Sequence, residues 1–238
     1  MSEPQRLPPA RAVNRFDFLC SLASGKRVIH VGFCDSESRG TYEASGIWLH
    51  SRLKNLSASL VGIDLDADGV ARCRAEGYEA YVADCRDAGA IRALGLTPAD
   101  VVIAGEVIEH TDAPGDLLDG MHLLLAPGGT LAVTTPNAYS IIQPIAALRS
   151  YELVNPDHVA LYSWYTLSNV MRRHGWSVRE VLAYHQPLLR GRSRSFEVAV
   201  GRTLARLQRL ATRRWPFIGY GLIALAEDDG STLNSLDG

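Results

Sequence analysis

The chain has 238 residues, 47% of them apolar, and a formal net charge of −2. That length and composition suit one large domain with a full core, and the near-zero charge excludes a molecule that holds nucleic acid by bulk electrostatics. No apolar run approaches the roughly 18 residues of a membrane helix, and Cys20, Cys34, Cys73 and Cys85, without a CxxC pair, read as reduced thiols of a cytoplasmic protein.

Residues 1–11 read as a loose leader and 12–24 as a short amphipathic helix on Val13, Phe16, Leu19 and Leu22, so that 1–24 precede the main domain. The first strand runs from Val28 to Val31 and ends in Gly32-Phe33-Cys34-Asp35. A polar loop and a helix over about 41–55 lead to a second strand, Leu60 to Ile63, which ends in Asp64-Leu65-Asp66. A helix over about 67–76, a third strand from Tyr78 to Ala83 that ends in Asp84, and a helix over 87–96 follow. Asp100 to Ala104 has the apolar look of a buried parallel strand. After it come the acidic turn Glu106-Val107-Ile108-Glu109-His110, a helix on Leu117, Leu118, Met121, Leu124 and Leu125, a Pro-Gly-Gly turn, and a strand from Thr130 to Thr135. The alternation of strand and helix predicts right-handed crossovers and a mainly parallel sheet with helices on both faces.

After Pro136 the pattern changes. Residues 137–163 read as a loop-and-helix region rich in polar and aromatic groups, with Tyr139, Glu152, His158 and Tyr162 as its polar candidates. A helix over 164–174, closed by His174-Gly175, and an alternating strand from Trp176 to Tyr184 come next. Residues 190–214 hold eight arginines and one acid, Glu197, with leucines at helical spacing. They read as an amphipathic insertion with its arginines in water, or as a surface for anionic material. Phe217 to Ala226 reads as a last strand, and 231–238 as a polar tail.

In such a sheet, ligands gather at the carboxyl ends of the strands. Gly32 gives the tight turn that lets a ligand approach the backbone. Asp64 is placed to accept from both hydroxyls of a ribose, Leu65 to lie on a purine, and Asp84 to accept from an exocyclic amine. The plainer reading makes Asp64, Asp66 and Asp84 caps of the helices that follow them.

The succession VIHVGFCDS, GIDLD, VADC, AGEVIEH and LAPGGTLAVTTPN resembles the class I S-adenosylmethionine-dependent methyltransferases over about residues 25–185, and plausibly to the end of the chain. The resemblance implies an α/β, Rossmann-like, seven-stranded, mainly parallel sheet, the last strand antiparallel and inserted between the fifth and sixth, with the domain spanning 25–230. It implies S-adenosylmethionine as cofactor, held by Gly32, Phe33, Asp64, Leu65, Asp84, Cys85 and Glu106, and makes residues 137–163 the lid over the acceptor. The first strand departs from the family pattern: His30 stands where an acid is usual, and Cys34 and Ser36 replace two glycines.

A helix starting near Glu106 would put Glu106, Glu109 and His110 on one face. That set suits a divalent cation, magnesium or manganese first and zinc less so. EVIEH is similar to the metal turn of the small-RNA 2′-O-methyltransferases and the ubiquinone-pathway O-methyltransferases, and His158 is the counterpart of a further histidine in the first group. Two other readings stand beside it: His158 as a metal-free general base, with Glu109 and His110 near it, or both histidines as structural groups. The expected function is an O-methyltransferase acting on a small-molecule hydroxyl, a sugar, polyol or natural product. The rivals are RNA 2′-O-methylation, which the near-neutral charge disfavours, and a methyltransferase-like protein that only binds.

Overall fold

A computed structural model of the chain describes residues 4–35, 39–185 and 208–230. Ser36, residues 190–207 of the arginine-rich stretch and the tail 231–238 lie outside them.

The first half alternates as expected: β1 (Ala12–Val13), α1 (Arg15–Ala23), β2 (Arg27–Val31), α2 (Arg39–Ala44), α3 (Leu49–Lys54), β3 (Ser59–Asp64), α4 (Ala67–Ala75), β4 (Glu79–Val82), α5 (Ala88–Ala93) and β5 (Ala99–Gly105). The second half contains α6 (Pro114–Leu124), β6 (Leu125–Pro136), α7 (Ile142–Ala147), α8 (Trp164–Arg173), β7 (Trp176–Tyr184) and β8 (Gly221–Asp228). The sheet order is β1-β7-β8-β6-β5-β2-β3-β4. β8 runs antiparallel to both neighbours, β6 and β7, and the other pairs are parallel.

The period-2 geometry of the strands divides the core between the two faces. On β5, Val102 and Ala104 join Ile29, Leu118 and Met121 on one face. Val101 and Ile103 join Val28, Leu19 and Leu53 on the other. α1 starts where the Asn14 side chain accepts from the N–H groups of Phe16 and Asp17, and it buries Phe16, Leu19, Cys20 and Ala23 at helical spacing.

The sheet has eight strands where seven were expected. The extra one is β1, which pairs Ala12 with Ala183 and Val13 with Tyr184 at the sheet edge. The helix expected over 12–24 is therefore shortened. The one expected over 41–55 is broken into α2 and α3 around Gly46, whose φ is +65°. The last strand starts at Gly221, because Pro216–Ile218 form a 3-10 turn instead.

Candidate active site

β2, β3, β4 and β5 deliver their carboxyl ends to one edge of the sheet, and two adjoining clefts open there. The smaller, about 170 Å³, is walled by Ile63, Asp64, Leu65, Asp84 and Cys85 among others. The larger, about 750 Å³, shares Gly32, Asp64, Val107 and His110 with it and reaches the lid.

Gly32 has φ +71°, and a Cβ there would stand 2.1 Å from Val107 Cγ2. The chain then dives inward. Phe33 is fully buried, its ring under Gly62 and 4.3 Å from the His50 centroid. Its side chain is thus a core group and does not face the cofactor, which corrects the sequence expectation. Asp64 accepts from Cys34 N–H through Oδ2 (2.9 Å) and from Asp66 N–H through Oδ1 (3.1 Å), so it also ties the first loop to the second strand. The cap of α4 is Asp66, which accepts from Gly69 N–H. Asp64 and Asp84 cap nothing, and the plain reading fails for both. Leu65 is 62% exposed beside the smaller cleft. Asp84 is held below the usual carboxylate range, first by the Arg86 guanidinium that hydrogen-bonds to it. Burial pushes the Cys85 thiol up to about 12, with help from Asp84 and Asp64, so the thiol stays neutral.

The turn after β5 is not the start of a helix. Glu106 has φ +57°, and Ile108–His110 form a 3-10 turn. The Glu106 carboxylate accepts from Thr134 Oγ1 (2.9 Å) and the Tyr184 hydroxyl (2.7 Å). It therefore does not share a face with the other two. Glu109, His110 and His158 do come together, each offering a ligand atom within 4.8 Å of the others. Glu109 is fully buried, and neither carboxylate oxygen has a hydrogen-bond partner among the described residues. Burial, then the Glu106 charge, raises its pKa to about 8. His158 is brought in by the lid, where the Val159 N–H donates to the Glu109 carbonyl (2.8 Å). The His110 and His158 rings meet edge to face at 4.6 Å, and the buried His158 Nδ1 has no partner. Its pKa is lowered by burial and then by His110. A carboxylate with unpartnered oxygens beside two imidazoles fits a divalent cation.

Among the lid candidates, His158 lines the larger cleft, Tyr162 is buried, and Tyr139 is 59% exposed. Sequence reasoning missed Arg15, Asp35, Asn137, Tyr184 and Tyr220, which also line the larger cleft. Asn137 donates from Nδ2 to the carbonyls of Phe217 and Gly219 and fixes the end of β6.

Residues 44–181 match a family described as a methyltransferase domain. The chain belongs to that family. It is a class I S-adenosylmethionine-dependent methyltransferase. A search of curated proteins gives no match. Solved structures of similar fold include a SAM-dependent methyltransferase from Archaeoglobus fulgidus, 16% identical with a TM-score of 0.52, covering 88% of this chain and 89% of its own. A magnesium protoporphyrin IX methyltransferase from Synechocystis with bound SAH is 12% identical with a TM-score of 0.51, covering 89% and 80%. An O-methyltransferase family protein from Burkholderia thailandensis is 20% identical with a TM-score of 0.51, covering 91% of this chain and 56% of its own. In this methyltransferase the smaller cleft sets apolar Ile63 and Leu65 beside Asp64 and Asp84.

Proposed function

We propose that the enzyme is a metal-assisted O-methyltransferase whose acceptor is a small molecule with neighbouring hydroxyls, such as a sugar or polyol. The observation that carries this is the buried, unpartnered Glu109 carboxylate beside His110 and His158. The larger cleft is of small-molecule size.

Methyl transfer needs little covalent help, because a sulfonium is already a good leaving group. The protein aligns acceptor, methyl and sulfur, and disposes of a proton. Glu109, His110 and His158 would hold the ion, which when bound lowers the pKa of a hydroxyl that reaches it. Burial and the neighbouring Glu106 charge favour the protonated form of Glu109, so holding a cation there would compete with a proton. Glu106, tied to Thr134 and Tyr184, stiffens the turn that carries Glu109 and His110.

Labelled methyl transfer to a panel of sugars and polyols and to short RNA, with manganese or magnesium and with chelator, tests this. The expected result is transfer to a diol-bearing small molecule that chelator cuts at least about 100-fold and that Glu109→Gln abolishes. Equal transfer with and without chelator, or transfer to RNA alone, would sink the reading.

A further inference from the structure

Large apolar side chains that stand in water are gathered on one part of this molecule. Among the described residues there are 13, and nine of them lie within 139–165 and 210–215, so these two segments carry most of the exposed apolar surface. Hydrogen bonds join the segments. Gln208 donates from Nε2 to Ser140 Oγ (3.3 Å) and to the Ile218 carbonyl (3.2 Å), and the Ile141 N–H donates to that same carbonyl (3.2 Å).

The helical turn over 208–211 and the residues after it are patterned inside out. A surface helix turns its apolar residues to the core and its polar ones to water. Here Gln208 and Thr212, four apart, are buried, while Leu210 and Trp215 are each 59% exposed. Arg209, Arg213 and Arg214 stand outside with them, the Arg214 guanidinium 5.9 Å from the Trp215 ring centroid. α7 shows the same disposition, for Ala146 is its one buried residue. Its end is closed by Ser150, at φ +61°, and by the Tyr151 N–H donating to the Ala146 carbonyl (3.1 Å). In that closing motif the second residue past the end frequently packs back on the helix. Tyr151 instead is 70% exposed, and Leu148 is 88% exposed.

Leucine, tyrosine and tryptophan held out beside arginine is a composition suited to the boundary between lipid headgroups and acyl chains. Charge decides among the occupants. Residues 190–214 hold eight arginines against one acid in a chain of net charge −2, and across 139–165 and 208–215 Arg149, Arg209, Arg213 and Arg214 face only Glu152 and Asp157. A second copy seated here would set these arginines against their own counterparts across a two-fold axis. Nucleic acid would leave Leu148 and Leu210 uncovered. Among the described residues no helix is long and apolar enough to cross a membrane, so the contact is with a bilayer's surface.

We propose that this face docks on an anionic bilayer, with Leu148, Tyr151, Leu210 and Trp215 entering the headgroup layer and the four arginines meeting lipid phosphates. Leu153, 57% exposed, also lines the larger cleft, so the docked surface reaches the rim of that cleft. The inference depends neither on the ion nor on the identity of the acceptor.

Co-sedimentation of the full chain with lipid vesicles tests it. Vesicles of equal parts phosphatidylglycerol and phosphatidylcholine should carry the protein down, and phosphatidylcholine alone should bind it at least about 10-fold more weakly. Added salt should release it. Arg213→Gln with Arg214→Gln should weaken binding to the mixed vesicles at least about 10-fold, and Leu148→Ser with Tyr151→Ser should do the same by about as much. Both double variants should keep S-adenosylhomocysteine affinity within about 3-fold, being remote from the smaller cleft, which shows that the fold is intact. No sedimentation with the mixed vesicles, equal binding to both kinds, or binding that neither double variant weakens overturns the proposal. So does a concentration-dependent dimer in vesicle-free buffer that either double variant dissolves, which would give this face to a second copy.

Discussion

Gly32 lines both clefts in a left-handed backbone that glycine adopts without strain. A substitution there meets two separate penalties: a left-handed backbone, costing about 1–2 kcal/mol for a residue with a Cβ, and an overlap with Val107 Cγ2. Gly32→Ala is expected to lose both amounts in urea unfolding and to weaken S-adenosylhomocysteine. Adding Val107→Ala should restore the steric part and leave the backbone part. If the double variant is as unstable as the single, the overlap is not what matters at this turn. That Gly32, Asp64, Leu65 and Asp84 gather at one cleft was legible in the sequence, because a strand end fixes where the next residues go. Phe33 was misread, since one step along a turn changes a cleft residue into a core one, and only the ring's packing under Gly62 decides it. Arg15 left no trace in the pattern, because a single arginine in an amphipathic helix looks like a solvated one until the sheet edge arrives beside it.

At the level of elements, α6 couples the core to the smaller cleft, which its Leu117 lines. A Cβ on Gly120 would stand 1.9 Å from the Cys85 carbonyl oxygen and 2.9 Å from Ile91. The same helix offers the Leu118 carbonyl to Trp176 Nε1 (3.2 Å), so it has no easy way to slide. Gly120→Ala is expected to cost about 1–3 kcal/mol by overpacking and to weaken nucleoside binding as the Cys85 segment gives way. Thermal melting and titration with methylthioadenosine check both, and an unchanged affinity at reduced stability would mean that the strain goes elsewhere. The strands and most helices were readable from period alone. The turn over 106–110 was not. Its conformation is held by Thr134 and Tyr184, far along the chain, so local spacing suggested a helix that tertiary bonds do not allow. Glu109, His110 and His158 come together all the same, because Glu109 and His110 are adjacent in a 3-10 turn and the lid supplies His158, whereas Glu106 turns away to Thr134 and Tyr184.

For the molecule as a whole, the buried His30–His50 pair sets a response to acid. Burial first, then Arg39 and Lys54, lowers the His50 pKa to about 3, and burial, His50 and Arg15 lower that of His30. The unfolded chain binds these protons near pH 6.5 and the folded chain does not. Stability is therefore intact above about pH 6.5 and is lost as pH falls toward about 3, with a slope approaching about 1.4 kcal/mol per pH unit for each group. His50→Asn keeps a polar partner for His30 Nδ1 without titrating. The stability difference between wild type and variant, measured by melting at pH 7, 6 and 5, should shift in favour of the variant by roughly 1 kcal/mol per pH unit, and a difference constant across this range would contradict the assignment. The fold class and the place of the last strand could be read from the sequence, whereas β1 could not, being two residues long and meaningful only against β7. That short pairing has a consequence for the order of events during synthesis. Residue 12 waits for residue 183, and the Asn137 clasp waits for residues 217 and 219. A growing chain can thus complete most of its helices early, yet the sheet edge at β1 and the clasp at the end of β6 close only after residues 183 and 217–219 have been made.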